Sequence, residues 1–214
     1  MTKSHSPFHV VEDFLSPAFC EHVIKEYGIA VPSLDDKEKP IKNERFTDIE
    51  ILATVQDGLY EHLADIQGRY KGLAKEMGDK TPIFRQYFEN PKDAAEPHGC
   101  EAFTYFRKKW IQSKDVHLVG FIWLKDYGNG VPLDPRFEVY GGKLEFPGYD
   151  FSLIPQRGTL VLFPADPHFI TAISPILVGS LELLKISIKL ENADGTHWLY
   201  QPANFPGTYH DWFE

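Results

Sequence analysis

Tyr140-Gly141-Gly142-Lys143-Leu144-Glu145-Phe146-Pro147 opens a stretch that continues through Pro155-Gln156-Arg157-Gly158-Thr159-Leu160-Val161-Leu162-Phe163-Pro164 and Pro167-His168-Phe169-Ile170, and ends, after Gly179, in the run Leu181 to Leu190. Gly and Pro interrupt short apolar or alternating runs roughly every eight to twelve residues, the spacing of strands in an antiparallel sandwich or barrel. No helix of ordinary length fits between those breaks. The paired glycines Gly141-Gly142 lie where a bend or bulge lets a sheet curl.

Working outward, Leu118 to Leu124 is almost continuously apolar and reads as a strand buried on both faces, and Ile83 to Phe88 begins the strand-rich half. Asn90 to Gly99, with Pro91 and Pro97, reads as a loop. Near the N-terminus, Phe8 to Val11 alternates as a short strand. Ser16-Pro17 then caps a helix in which Phe19, Val23, Ile24 and Tyr27 fall at helical spacing, with Gly28 placed to end it. Val31 to Arg45 is charged and reads as a surface loop. Thr47-Asp48-Ile49-Glu50 matches a capping box with Thr47 as the cap. Ile51, Leu52, Val55, Leu59, Leu63, Ile66 and Tyr70 mark one face of the following helix, which Gly68, Gly72 and Gly78 should end or break before Gly78.

At 214 residues the chain is long enough for one full core. The expected organisation is a single domain, with residues 1–82 as helical support, 83–190 as the β core and 191–214 as an aromatic tail. Trp198, Tyr200, Phe205, Tyr209, Trp212 and Phe213 would pack that tail on the domain or mediate self-association. A formal net charge of -9 argues against general nucleic-acid binding, which depends on clustered cations neutralising phosphates. Cys20 and Cys100 are too few and too far apart for a disulfide framework, and both are expected as free thiols. With no signal-like or membrane-length apolar run, a soluble cytoplasmic protein is expected.

The order Gly-Gly-x-Leu-x-Phe, Pro-x-x-Gly-x-Leu-x-x-Phe-Pro, His, Gly and a basic residue on the last strand resembles the 2-oxoglutarate and Fe(II)-dependent dioxygenases. Within them it is similar to the prolyl-4-hydroxylase-like branch and its phage-encoded members. The likeness is sharpest from His117 to Leu190, and the strand, Phe-Leu-Ser-Pro and helix at the N-terminus add to it. It implies a mainly β fold with N-terminal helices, a double-stranded β-helix of the jelly-roll or cupin-like kind. The implied activity is oxidative decarboxylation of 2-oxoglutarate coupled to hydroxylation of an unactivated C–H bond. A peptide or protein substrate is implied by the prolyl-hydroxylase branch, although relatives of this fold also act on nucleobases and small metabolites.

Two imidazoles and one carboxylate on one face of the iron leave room for 2-oxoglutarate and O2. The family usually supplies the first two as His-x-Asp, and no such motif stands at the expected place. Asp115-Val116-His117 offers the same pair in reverse order, with both side chains on one face of an extended backbone, and His168 would complete the set. His98 and Glu101 are a second candidate pair, needing a bulge at Gly99 to share a face. The family's distal His precedes a Pro by four residues, which here points to Thr171 ahead of Pro175, so the distal position is either a shifted His168 or Thr171. On the last strand the resemblance makes Lys185 the anchor for the far carboxylate of 2-oxoglutarate. Lys185 shares a face with Leu181, Leu183 and Ser187, where a cation is costly to bury without an anion. The alternatives are a pair with Glu145 or a side chain that snorkels to solvent. Arg157, in its turn, reads as a solvated arginine, and the resemblance would place it at the rim, within reach of substrate. The rival to an enzyme is a jelly roll that binds or builds without a metal, since fold alone does not establish activity.

Overall fold

Alternating apolar residues between fixed turns give this chain a sheet with two greasy faces, one for helices and one for a second layer of strands. The computed structural model describes residues 8–27, 43–45, 47–69, 83–88, 103–106, 109–112, 116, 118–128, 134–154, 156–165 and 169–188. In chain order the first elements are β1 (His9–Val11), α1 (Pro17–Tyr27), β2 (Asn43–Arg45), α2 (Ile49–Glu61), α3 (Leu63–Arg69), β3 (Ile83–Phe88), β4 (Phe103–Phe106) and β5 (Lys109–Gln112). Then follow β6 (Leu118–Trp123), β7 (Asp126–Tyr127), β8 (Glu138–Gly141), β9 (Leu144–Phe146), β10 (Phe151–Leu153), β11 (Leu160–Pro164), β12 (Ala172–Ile173), β13 (Ile176–Val178) and β14 (Leu181–Ile188).

The principal sheet has the order β1-β11-β6-β14-β3-β2, and every pairing in it is antiparallel. Smaller sheets, β10-β9-β12 and β13-β8-β7, lie among the strands of the second layer. The architecture is the expected mainly β jelly roll with a few helices. All four strands read from the turn pattern are present, with ends differing by one or two positions: 118–124 became Leu118–Trp123, 160–163 became Leu160–Pro164, and 183–189 became Leu181–Ile188, while Leu144–Phe146 is unchanged.

Residue parity divides the core in two. Leu118, Ile122, Leu160, Leu162, Leu184, Ile186 and Ile188 face the helices, where Cys20, Val23, Ile51, Val55, Leu59 and Ile66 cover them. Val119, Phe121, Trp123, Val161, Phe163, Leu181 and Leu183 face the other way and pack on Val139, Leu144, Phe146, Phe169, Ile173 and Ile176. Phe8 belongs to this second core, stacked on Phe151 at 4.4 Å and set edge-on to Phe169 at 6.0 Å. Cys20 is a free, fully buried thiol whose pKa burial pushes up to about 12, so it is inert as a nucleophile. Cys100 lies outside the described residues.

Gly141 and Gly142 both have positive φ, at 97° and 71°, beside a register shift between Ile176 and Val178, which is the bend expected of the paired glycines. A methyl group at Gly141 would stand 2.2 Å from the Pro175 carbonyl oxygen, so no side chain fits without moving backbone. Gly141→Ala is therefore expected to lower stability by about 2–4 kcal/mol, read as a drop in denaturant midpoint.

Local chemistry differs from expectation at several points in the N-terminal third. Ser16 caps α1 as read, its Oγ accepting from the Phe19 amide at 3.2 Å. For α2, however, the cap is Asp48 and not Thr47. Asp48 has extended backbone, and its carboxylate accepts from the Glu50 and Ile51 amides at 2.9 and 3.1 Å. A carboxylate is a stronger acceptor than a hydroxyl at the positive end of a helix. The helix breaks at His62, earlier than its glycines suggest. Gly58 lies inside α2, where a Cβ would come within 2.9 Å of the Phe14 ring, so its smallness admits a core aromatic. Asn43–Arg45, within the stretch read as loop, pairs with β3 as the sheet's edge strand, and short charged strands are a usual way to blunt such an edge.

Candidate functional site

Cross-strand register sets out the interior of the jelly roll in layers. Ile188 on β14 pairs with Leu118 at the start of β6, and Leu118 pairs with Pro164 at the end of β11, so these three strand ends share one edge of the sheet. Just inside that edge Ser187 lies opposite Val119, then Lys185 opposite Phe121, then Leu183 opposite Trp123. All six side chains are on the face turned away from the helices, because residues two apart on a strand share a face. Three residues of strand place Lys185 about 10 Å from the edge.

Lys185 is the chemically unusual member of this stack. It is only 7% exposed, and burial lowers its pKa to about 8. Beneath it Trp123 and Leu183 are fully buried and close the layer. Ser187, buried between Lys185 and the edge, adds a hydroxyl on the same side. Thr171 is likewise buried and stands two residues before Ile173, a member of the same core, so the alternation of β12 turns it inward. An ammonium with a hydroxyl on the same strand face suits an anion such as a carboxylate and is not a metal's donor set.

The expected metal ligands Asp115, His117 and His168, and the second pair His98 and Glu101, lie outside the described residues. Among the described residues no group of three His, Cys, Asp or Glu side chains converges. What the fold does supply is chain order at the edge. Leu118, directly after His117 in the sequence, pairs with Pro164, four residues before His168 in the sequence.

Arg157 is held in ion pairs away from the Leu118 end of the sheet. Its turn closes the opposite end of the principal sheet, where the Gly158 amide donates to the Trp123 carbonyl at 2.8 Å. There the guanidinium is held by Glu21 of α1 and Asp126 of β7, each at 3.0 Å, and its own amide donates to Asp126 at 3.0 Å. The two carboxylates take up the charge expected to face substrate, and the side chain is only 19% exposed. Arg157→Gln should lower stability by about 1–2 kcal/mol and leave ligand affinity unchanged, a split that thermal denaturation and titration calorimetry read separately. At the same end Lys125 pairs with Glu182 at 3.3 Å and donates to Ser180 at 2.7 Å, a buried ion pair on the other face of β14 from Lys185.

Phe121 and Trp123 were legible only as members of an apolar strand. Their place beside and below Lys185 follows from the pairing of β6 with β14, whose register no local pattern encodes. The signal that was available was parity: odd positions on both strands share a face.

No family model and no curated protein matches the chain. Solved structures do. The viral collagen prolyl hydroxylase from Paramecium Bursaria Chlorella virus-1, as its 2OG complex, superposes with a TM-score of 0.61 at 17% identity, over 89% of this chain and 99% of that one. A Pseudomonas putida prolyl-4-hydroxylase superposes with a TM-score of 0.52 at 15% identity, over 86% of this chain and 92% of that one. At such identities the likeness establishes the fold. The chain has the double-stranded β-helix found in these prolyl hydroxylases.

Proposed function

We propose that the protein is an Fe(II)- and 2-oxoglutarate-dependent dioxygenase that hydroxylates a peptide, a protein or a small molecule. The observation that carries this reading is Lys185: a cation buried inside a jelly roll, three residues along β14 from Ile188, which pairs with Leu118. His117, Asp115 and His168 would hold the iron. Bound there, iron and 2-oxoglutarate supply an oxidant made from O2, with succinate and CO2 as coproducts. Lys185 binds and orients the distal carboxylate, Ser187 lies on the same face for a further hydrogen bond, and Trp123 and Leu183 exclude water from beneath. The likeness to prolyl hydroxylases supports a peptide or protein as substrate, and the 2OG named for the viral structure supports the cosubstrate.

A second reading is a jelly roll that binds a dicarboxylate without turning it over. The inward, buried Thr171, four residues before Pro175, favours it, because a hydroxyl there is a poor iron ligand. Succinate release separates the two. Protein incubated with Fe(II), 2-oxoglutarate and O2 is expected to form succinate above the protein-free rate. Binding of 2-oxoglutarate with no succinate, even when candidate peptides are supplied, would favour the second.

A further inference from the structure

We propose that Phe121 is a specificity-determining residue that limits the site at Lys185 to a five-carbon 2-oxo diacid and excludes the six-carbon homologue, an inference that rests on the 2-oxoglutarate reading above. Phe121 on β6 is one of the two direct cross-strand neighbours of Lys185, the other being Phe84 on β3, and Phe121 and Lys185 share the face of the second core. Opposed residues on adjacent strands have Cβ atoms about 5 Å apart, so ring and lysine stem run side by side.

The ring has little freedom to give way. It is 5% exposed and packs at 5.8 Å on Phe163, which is set edge-on to Phe146 at 4.9 Å, and Phe146 in turn packs at 4.4 Å on Phe8. A row of aromatic rings thus backs the wall beside the ammonium, and closely packed interiors resist such displacement. Depth is bounded as well. Trp123 and Leu183 fill the next layer, so a longer acid entering from the Leu118 edge cannot slide past Lys185. With the floor closed and the 2-oxo end held at the metal as proposed above, an added methylene is pressed against the side walls, of which the Phe121 ring is one.

The test is calorimetric titration of 2-oxoglutarate and 2-oxoadipate into the Mn(II)-supplemented protein, comparing wild type with Phe121→Leu and Phe121→Ala. Phe14→Ala, a ring lost from the helix-side core, controls for general loosening. Wild type should prefer 2-oxoglutarate by about 10- to 200-fold, the range one methylene commands in a shaped apolar pocket. Phe121→Ala should bring the two acids within about threefold of each other, Phe121→Leu should fall between, and Phe14→Ala should keep the wild-type ratio. Should the alanine variant fail to fold, the leucine variant decides by the same ratio. A wild-type preference that survives both Phe121 substitutions would overturn the role of Phe121 and leave the proposed function standing, as would a wild type that binds both acids equally. A wild type that binds neither acid would remove the 2-oxoglutarate reading and this inference with it.

Discussion

Lys185→Met should abolish useful 2-oxoglutarate binding while leaving the protein folded. Removing one partner of a buried, hydrogen-bonded charge pair typically costs about 2–5 kcal/mol of binding, or roughly 30-fold to several-thousand-fold in affinity. The unliganded protein responds differently. Burial holds the Lys185 pKa near 8 against an ordinary 10.5, so the folded chain binds this proton less tightly than the unfolded chain. Below about pH 8 both states carry the proton, and confining the charge costs on the order of 3 kcal/mol. Between pH 8 and 10.5 the folded state sheds it first, and the cost fades as pH rises. Wild-type stability should therefore gain with pH across that window relative to Lys185→Met, which has no such proton. Ligand affinity should move the other way. A carboxylate requires the ammonium, so 2-oxoglutarate should bind more weakly as pH climbs above 8, by up to about tenfold per unit. Calorimetry at a series of pH values checks both slopes, and a Lys185→Met protein that binds 2-oxoglutarate like wild type would remove Lys185 from the site.

His168→Ala should eliminate tight metal binding with little change in fold. One of three protein ligands would be gone, whereas the second core built by Phe163, Phe169 and Ile173 would keep all its members. The stability loss should accordingly stay well below the 2–5 kcal/mol of a large core truncation. Anaerobic Mn(II) titration monitored by electron paramagnetic resonance measures the first quantity, and thermal denaturation the second. Unchanged Mn(II) affinity in His168→Ala would move the metal assignment away from this residue, and His98→Ala would then be the informative variant.

The β architecture was legible because it is written locally. Gly and Pro at turns, and apolar runs between them, delimit β6, β9, β11 and β14 without reference to anything distant. The inward face of Lys185 was legible for the same reason, since parity along one strand sets it. What escaped depends on long-range partners. Arg157 reads as a solvated turn arginine until Glu21, 136 residues earlier in the chain, is brought against it. The edge strand β2 has no apolar alternation and exists through its pairing with β3. The Asp48 cap was missed by a single position, because Thr47 and Asp48 are both good caps and only the backbone turn chooses between them. Phe121 looked like ordinary core until β14 set Lys185 beside it.

If one site brings iron and 2-oxoglutarate together, an anaerobic optical titration will register it. When a 2-oxo acid chelates Fe(II) through its carboxylate and keto oxygens, a charge-transfer band appears that neither component shows alone. Wild-type protein supplied with Fe(II) should develop this band on adding 2-oxoglutarate, saturating near one equivalent, and Lys185→Met should need far more ligand to reach it. A wild type that shows no band at any 2-oxoglutarate concentration would contradict the account.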